Sequence, residues 1–402
     1  MRVEFGDNPR HASRRVAITG LGVVSVAGVG LEAFWKGVNN PSSPGGPKRA
    51  ADFDPTIWLG PKEIRRHDRY NQMGVAAADM AFEDAGRPEI DPAKVAVMMG
   101  TGVGGLESLE NQVIVGEQRG YSRVTPFLVP LMMANSNSAS ISMRFGFQGP
   151  CETTVTACAA SNHAMASGAA LVASGRVDMA FTGGAEAAIT RAATAGFTNM
   201  TALSKEFLSR PFDRNRDGFV MGEGAGVIVL EELEHALRRG ARVYATIEGV
   251  ASTADAYHIT APAPGGTGAR AAMAMAIEDA GISATDITHI NAHGTSTPLN
   301  DLAEATAIRA VFGPHNPPAT SIKGALGHAL GAAGALEAVA VALTYENRLI
   351  PPTANTLELD PGVDIDVVLK ESRPFSGGYV LSNSFGFGGH NSCIVFGPPP
   401  GY

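Results

Sequence analysis

One cysteine occupies a position suited to nucleophilic chemistry. Cys158 lies where a short β-branched run, residues 153–156, meets an Ala-rich segment with helical composition, residues 158–173. A thiol at the N-terminus of a helix faces unpaired backbone N–H groups and the positive end of the helix dipole, which favours the thiolate. Its alanine neighbours leave room for a bulky substrate. Cys158 is therefore a candidate nucleophile, but taken alone it is more often a buried structural cysteine, and both interpretations stay open at this point.

Three further segments supply partners for this thiol. His293 follows a predicted strand, so its ring should emerge at a strand carboxyl end, where α/β folds place their sites. Lys323 and His328 share the glycine-rich segment SIKGALGHALGAAG, and Glu337 on the next predicted helix is a candidate ion partner for the lysine. Neither histidine belongs to an HxxxH or HxH pair, so no metal site is predicted. The segment NSFGFGGHN is predicted to be a loop whose N–H groups could hold an oxyanion.

The elements that must position these residues occur twice. The tetrad Glu-Asp-Ala-Gly ends a predicted helix at residues 83–86 and again at 278–281, and each copy leads into an apolar strand. Strands alternating with helices predict an α/β fold with mostly parallel sheets. We expect an internal duplication, with one half over residues 1–249 and the other over 250–402, packed as one compact unit. The predicted helices and strands span residues 71–85, 95–99, 269–280 and 287–291.

Composition excludes several classes of protein. The 402 residues are 45% hydrophobic and 17% charged, which is typical of a folded globular chain. A net charge of −8 argues against a general nucleic-acid binder. No apolar run reaches the ~18 residues needed to span a bilayer. Three cysteines and an N-terminus without an apolar signal segment favour a soluble cytoplasmic protein with no membrane partner.

A glycine motif invites a different interpretation. Residues 100–105, GTGVGG, satisfy GxGxxG after a strand, which suggests a nicotinamide oxidoreductase. No clear strand ending in an acidic residue follows, so the dinucleotide pattern is incomplete. This alternative predicts binding of NADPH.

Four motifs together resemble one family. VTACAAS, NAHGTSTPLND, SIKGALGHALGAAGALEA and NSFGFGGHN are similar to segments of the β-ketoacyl-(acyl carrier protein) synthases, and the elongating ketosynthase II type is the most similar subgroup. The resemblance covers roughly residues 15–397. It implies a thiolase-like fold of duplicated βαβαβ halves in a five-layer α-β-α-β-α sandwich. It also implies a homodimer, no cofactor, and fatty-acid elongation by decarboxylative condensation of an acyl chain with malonyl-(acyl carrier protein).

The resemblance assigns a role to each motif residue. Cys158 is the implied acyl-accepting nucleophile, with its own N–H and that of Phe387, a gating aromatic, as oxyanion hole. His293 and His328 promote decarboxylation and stabilise the enolate. Lys323 organises the charges of the site with the implied support residues Glu337, Asp301 and Glu304. The implied substrate-binding residues are Val103, Phe197, Thr260, Thr295, Thr297, Phe385 and His390. The implied docking residues for acyl carrier protein are Lys62, Arg65, Arg66 and Arg123.

Some positions depart from the family pattern. His390 stands where many members carry Thr, Ala261 replaces a common Ser, and Thr201 stands where Arg is frequent. Acyl-chain length therefore stays open. A second interpretation also stays open: a ketosynthase subunit of a type II polyketide or polyene pathway, paired with a chain-length factor.

Overall fold

The computed structural model describes residues 14–402. The absence of a secretory signal was predicted from the first fifteen residues, which lie mostly outside the described part of the chain. The strands are β1 (Val16–Ser25), β2 (Gly28–Val29), β3 (Val95–Gly100), β4 (Cys151–Thr154), β5 (Met179–Glu186), β6 (Gly224–Glu232), β7 (Ala245–Ala254), β8 (Ile287–Asn291), β9 (Ala319–Thr320), β10 (Leu349–Ile350), β11 (Arg373–Pro374), β12 (Tyr379–Gly386) and β13 (His390–Gly397). The helices are α1 (Leu31–Val38), α2 (Pro61–Ile64), α3 (Arg69–Asp84), α4 (Leu106–Arg119), α5 (Leu128–Met132), α6 (Ser136–Phe145), α7 (Ala160–Ala173), α8 (Arg191–Asn199), α9 (Leu233–Arg238), α10 (Thr267–Asp279), α11 (Pro298–Phe312), α12 (Lys323–Leu326) and α13 (Ala333–Asn347).

The sheet order confirms the duplication. The main path runs β4-β3-β5-β6-β1-β7-β13-β12-β8-β9. This order divides into two halves of five strands. Listed from the outer edge of the sheet inward, they are β4-β3-β5-β6-β1 and β9-β8-β12-β13-β7, and their topologies match. The halves join where β1 pairs with β7 over Val16–Ile18 and Ala245–Ile247.

Helices separate and cover the two halves. The central layer is formed by α7, which contacts β3 and β5 on one side and β7 and β13 on the other, and by α13, which contacts β6 and β12. Outside, α3 packs on β1 and β6, and α10 packs on β7 and β13. The result is the expected α-β-α-β-α layering. Close approach of α3 requires a glycine, because a Cβ at Gly22 would lie 1.9 Å from the carbonyl oxygen of Ala77.

Three local predictions need correction. The sheet is mixed, because only β3 and β8 pair in parallel with their neighbours while the inner strands are antiparallel. The predicted strand at residues 153–156 spans Cys151–Thr154 instead. The segment predicted as a loop around Phe387 is the tip of the β12–β13 hairpin, where Gly388 and Gly389 adopt φ values of 88° and 75°.

The helices that carry the repeated tetrad form as predicted. The Asp68 carboxylate caps α3 by accepting a hydrogen bond from the N–H of Tyr70. Gly86 and Gly281 follow α3 and α10 with φ values of 78° and 66°, which favour glycine. The division between residues 249 and 250 stays a prediction, and both residues lie within β7. Among the described residues, no helix is long and apolar enough to cross a membrane.

Candidate active site

A tight turn presents the cysteine. After β4 the chain turns at Ala157, with a φ of 50°, and a single 3-10 turn over Ala157–Ala159 carries Cys158 before α7 begins. The thiol therefore precedes the α-helix by one short turn, a small correction to its predicted place. The tip of the β12–β13 hairpin packs directly on this turn, since a Cβ at Gly386 would lie 2.7 Å from the carbonyl oxygen of Thr156.

The two histidines meet at the thiol. His328 Nε2 lies 3.0 Å from the Sγ of Cys158, and the ring centroids of His293 and His328 are 5.5 Å apart. The backbone of His328 is fixed on the strand-like segment before β6, because its N–H donates to the carbonyl of Val220 at 2.8 Å. The Phe219 ring packs edge-on against His328 at 5.3 Å.

A buried lysine connects the two histidine segments. Lys323 forms an ion pair with Glu337, and both side chains are almost fully buried. The Lys323 ammonium also donates to the carbonyl oxygen of His293 at 2.5 Å. It therefore joins α12 and α13 to the loop that follows β8.

Two of the three predicted acidic supports, Glu304 and Asp301, bind backbone N–H groups rather than an imidazole. The Glu304 carboxylate accepts from the N–H groups of His293 at 2.8 Å and Gly294 at 2.7 Å. The Asp301 carboxylate accepts from the N–H of Ser296 at 3.1 Å. Both residues lie on α11 and stabilise the course of the loop that presents His293.

Burial and the lysine charge keep the imidazoles neutral. Burial first, and then the Lys323 cation, hold the pKa of His293 and of His328 well below the usual value. Burial also raises the pKa of Glu337 to about 7, against the lowering effect of Lys323. Neutral imidazoles can accept a thiol proton or donate an N–H, depending on the tautomer.

The expectation of a low thiol pKa is wrong. Burial raises the pKa of Cys158 to about 12, although Lys323 and the N–H groups of Phe387 and Cys158 act in the opposite direction. The helix-terminus argument omitted desolvation, which is the largest effect here. The two N–H groups that oppose burial at this thiol are those predicted to form the oxyanion hole. His328 Nε2, 3.0 Å from this sulfur, is placed to accept the thiol proton.

A cavity of about 480 Å³ opens onto these groups. Its wall includes most of the predicted substrate-binding residues, namely Val103, Phe197, Thr260, Thr295, Thr297 and Phe385, together with Phe387, Thr201 and Ala261. His390 does not line it and lies beside His163 instead, with ring centroids 6.3 Å apart. Within residues 14–402, no group of three or more His, Cys, Asp or Glu side chains is placed to hold a metal ion.

The predicted docking residues lie at the surface. Lys62 in α2 and the adjacent Arg65 and Arg66 are exposed, as is Arg123. The Arg66 guanidinium stacks over the ring of Phe127 at 4.9 Å, shortly after Arg123 in the chain.

Two domain descriptions match most of the chain. Residues 39–236 match "Beta-ketoacyl synthase, N-terminal domain" and residues 244–357 match "Beta-ketoacyl synthase, C-terminal domain". The 3-oxoacyl-[acyl-carrier-protein] synthase 2 of Synechocystis sp. is 42% identical, over 95% of this chain and 98% of its own length. The chain belongs to the β-ketoacyl synthase family.

Solved structures agree with this assignment. The ishigamide ketosynthase/chain length factor structure is 35% identical, with a TM-score of 0.92 over 96% of this chain and 100% of that one. A type II polyketide ketosynthase bound to its acyl carrier protein is 30% identical, with a TM-score of 0.89 over 96% of this chain and 100% of that one. The predicted thiolase-like fold is thereby confirmed.

Sequence reasoning missed two residues of this β-ketoacyl synthase site. Phe219, which packs on His328, lies in a loop without any pattern that marks it. Glu186 ends the buried strand β5 and contacts the cavity loop at Gly102. A carboxylate at the carboxyl end of an otherwise apolar strand is a signal that could have found it.

The pKa of the thiol gives a testable pH dependence. Because burial raises the pKa of Cys158 to about 12, the thiolate fraction should rise about tenfold per pH unit through the neutral range. Alkylation of Cys158 by chloroacetamide, followed by peptide mapping from about pH 6 to about pH 9, should show no plateau. Cys158→Ala corrects for labelling of the exposed Cys151. A plateau below about pH 8 would contradict the expected protonated thiol.

Proposed function

We propose that the protein condenses an acyl chain held on Cys158 with malonyl-(acyl carrier protein), releasing CO₂ and 3-oxoacyl-(acyl carrier protein) in fatty-acid chain elongation. The observation that carries this proposal is the contact of His328 Nε2 with the Sγ of Cys158 at 3.0 Å, beside a second neutral histidine. The Synechocystis relative, named a 3-oxoacyl-[acyl-carrier-protein] synthase 2, supports the same reaction.

Acyl transfer comes first. The Cys158 sulfur attacks the thioester carbonyl of the incoming acyl carrier while its proton passes to His328 Nε2, 3.0 Å away. The oxyanion of the tetrahedral intermediate is placed to accept from the N–H groups of Cys158 and Phe387. Collapse breaks the carrier's C–S bond, and the departing thiolate takes the proton back from His328. The acyl chain is left as a thioester on Cys158.

Condensation follows on the same groups. The bond between the malonyl carboxylate and C2 breaks, CO₂ leaves, and the electron pair forms an enolate whose oxygen accepts from His293 and from His328 in its Nε2–H tautomer, which forms by proton exchange with solvent while the carriers exchange. C2 then attacks the Cys158 thioester, and the C–S bond to the enzyme breaks. The thiolate regains a proton from water. These bond and proton changes require no cofactor, so we propose that the enzyme works without one.

Separating the half-reactions tests the proposal. Cys158→Ala should abolish condensation yet retain CO₂ release from malonyl-carrier, because decarboxylation needs enolate donors and no nucleophile. His293→Ala and His328→Ala should each lower CO₂ release by about 10²–10³-fold, the effect of losing one oxyanion donor. Carboxyl-labelled malonyl-carrier measures CO₂ release, and intact mass measures acylation.

A matched cysteine variant provides the control. Cys393 is buried and lies 3.3 Å from the Asn383 Oδ1, outside the cavity wall. Cys393→Ala should keep both half-reactions. If folded Cys158→Ala lost CO₂ release as completely as the histidine variants, the proposed division of roles would be wrong.

A polyketide or polyene ketosynthase is the second candidate. The two structures at 35% and 30% identity favour it, since their names contain a chain length factor and a type II polyketide carrier complex. The relative at 42% identity favours fatty-acid elongation. Of the two candidate functions, we propose fatty-acid chain elongation, and we place it in the cytoplasm.

A dimer is proposed from the sheet edge. β4 ends the strand order with Cys151 and Glu152 exposed, and Val155 just after it is 51% exposed. An open edge beside exposed apolar side chains favours pairing with a second chain. We propose a homodimer, with a chain-length factor as the alternative partner.

Sedimentation velocity of the purified chain tests the dimer. The wild type should sediment as a dimer and Val155→Lys should shift it toward monomer, because the lysine places a charge in the interface. Leu357→Lys, at a leucine on the second half of the chain that is 80% exposed, should stay dimeric. A monomeric wild type at micromolar concentration would contradict a homodimer.

The basic residues near α2 are proposed to dock an acidic carrier protein. Lys62, Arg65 and Arg66 are exposed on a chain of net charge −8, so local charge rather than overall charge would steer an acidic partner. Arg123 is placed with them by the family resemblance.

Charge reversal tests this docking surface. Arg65→Glu with Arg66→Glu should raise the KM for carrier-bound substrate and spare small thioester analogues. The penalty should shrink with added salt, because exposed charges are screened beyond about 10 Å at 0.1 M. Arg270→Glu, at an exposed arginine of the outer helix α10, is the control. A penalty shared by small thioesters and insensitive to salt would contradict docking.

A further inference from the structure

Glu186 is a buried carboxylate that the proposed reaction does not use. It ends β5 and is fully buried. Its Oε2 accepts from the N–H groups of Gly102 at 2.5 Å and Gly331 at 3.0 Å, and its Oε1 accepts from the Thr101 hydroxyl at 3.1 Å. Among residues 14–402, no cation lies within ion-pair distance of it.

The donors belong to two different walls of the cavity. Thr101 and Gly102 belong to the pocket loop, residues 101–104, whose Val103 lines the cavity and is 44% exposed. Gly331 belongs to the histidine turn, residues 328–332, which begins with His328. Glu186 therefore connects the loop predicted to contact the acyl chain with the turn that presents the catalytic imidazole.

These two segments touch backbone to backbone. A Cβ at Gly331 would lie 2.1 Å from the Gly102 nitrogen, so no side chain fits between them. Leu330, directly before Gly331, lines the cavity and adopts a φ of 43°, a conformation that non-glycine residues rarely hold without support. The Gly331 N–H bond to Glu186 provides such support next to the unfavourable residue.

Removing this acceptor leaves buried donors unpaired. The N–H groups of Gly102 and Gly331 both donate to the same carboxylate oxygen, Glu186 Oε2. An unpaired buried N–H destabilises the arrangement that buries it, so the two segments would separate or admit water. Either change moves the cavity wall and His328 together.

We propose that Glu186 is a positioning residue that fixes the position of the pocket loop relative to the histidine turn. The acyl-cavity wall at Val103 and the contact of His328 with Cys158 are thus set by one carboxylate. This inference rests on the proposed condensation, because its consequence is that primer-length preference and turnover change together.

Two substitutions of Glu186 separate the effect of side-chain length from the effect of charge. Glu186→Gln keeps the length of the side chain, and its amide oxygen can accept from both glycine N–H groups. Glu186→Asp keeps the charge but withdraws the carboxylate by one C–C bond, about 1.5 Å. Glu231→Asp is the matched control, because Glu231 is also fully buried, is held by Arg239 and Thr19, and does not line the cavity.

The measurement is kcat/KM for short and long acyl-carrier primers with malonyl-carrier. Glu186→Asp should lower kcat/KM by about 10- to 100-fold, the effect expected of an ångström-scale misplacement. It should also change the ratio of kcat/KM for long primers to that for short primers. Glu186→Gln should stay within a few-fold of wild type with the same ratio. Glu231→Asp should leave the ratio unchanged even if its melting temperature falls.

Folding and function are checked separately. If Glu186→Asp does not fold, Thr101→Val, which removes the hydroxyl that donates to Glu186 and accepts from the Gly104 N–H, should change the ratio of long to short primers in the same direction with a smaller loss of kcat/KM. The inference is wrong if folded Glu186→Asp has the kcat/KM and primer ratio of the wild type, or if Glu186→Gln lowers kcat/KM as much as Glu186→Asp does. It is also wrong if a crystal structure of Glu186→Asp shows the pocket loop and the histidine turn in their wild-type positions. A wild type that does not condense would instead overturn the proposed function.

Discussion

One buried positive charge, that of Lys323, lies among the reacting groups of the site. Burial has the largest effect on the pKa of both imidazoles and of the Cys158 thiol, and Lys323, which is paired with Glu337 and donates to the carbonyl of His293, acts to lower the pKa of all three. Desolvation acts with the lysine on the histidines and against it on the cysteine. The outcome is two neutral imidazoles beside a protonated thiol. Neutral imidazoles suit the proposed chemistry, because an imidazolium would protonate the enolate that the site has to stabilise.

The duplicated frame explains why distant segments meet at one point. β4 leads into α7 through the turn that carries Cys158, and β9 leads towards α13 through the segment that carries Lys323 and His328. Because α7 and α13 form the shared central layer, the segments before them face each other. The corresponding strands β3 and β8 lead into the pocket loop and the His293 loop. One pseudo-symmetric arrangement therefore assembles nucleophile, imidazoles and cavity wall.

The sequence predicts local motifs better than it predicts their surroundings. The repeated tetrad identified α3 and α10, and the four motifs identified Cys158, His293, Lys323 and His328, which the structure brings together. The thiol pKa was mispredicted because desolvation depends on every atom packed around the sulfur, whereas the helix-terminus effect is local. The glycines around Phe387 predict a loop, whereas the structure uses them in a tight turn between two strands. His390, named from the family pattern, lies beside His163 rather than on the cavity wall.

Four buried carboxylates surround a reaction that needs no carboxylate base. Glu304 and Asp301 accept from backbone N–H groups of the His293 loop, Glu186 accepts from those of Gly102 and Gly331, and Glu337 binds Lys323. A neutral amide could accept such bonds, but a carboxylate offers two oxygens to several donors at once and makes stronger hydrogen bonds. The segments that carry His293 and His328 are thus each held by an acid from another element. Paired acids usually suggest acid–base chemistry, but here their partners show that they fix the positions of the histidine and pocket segments.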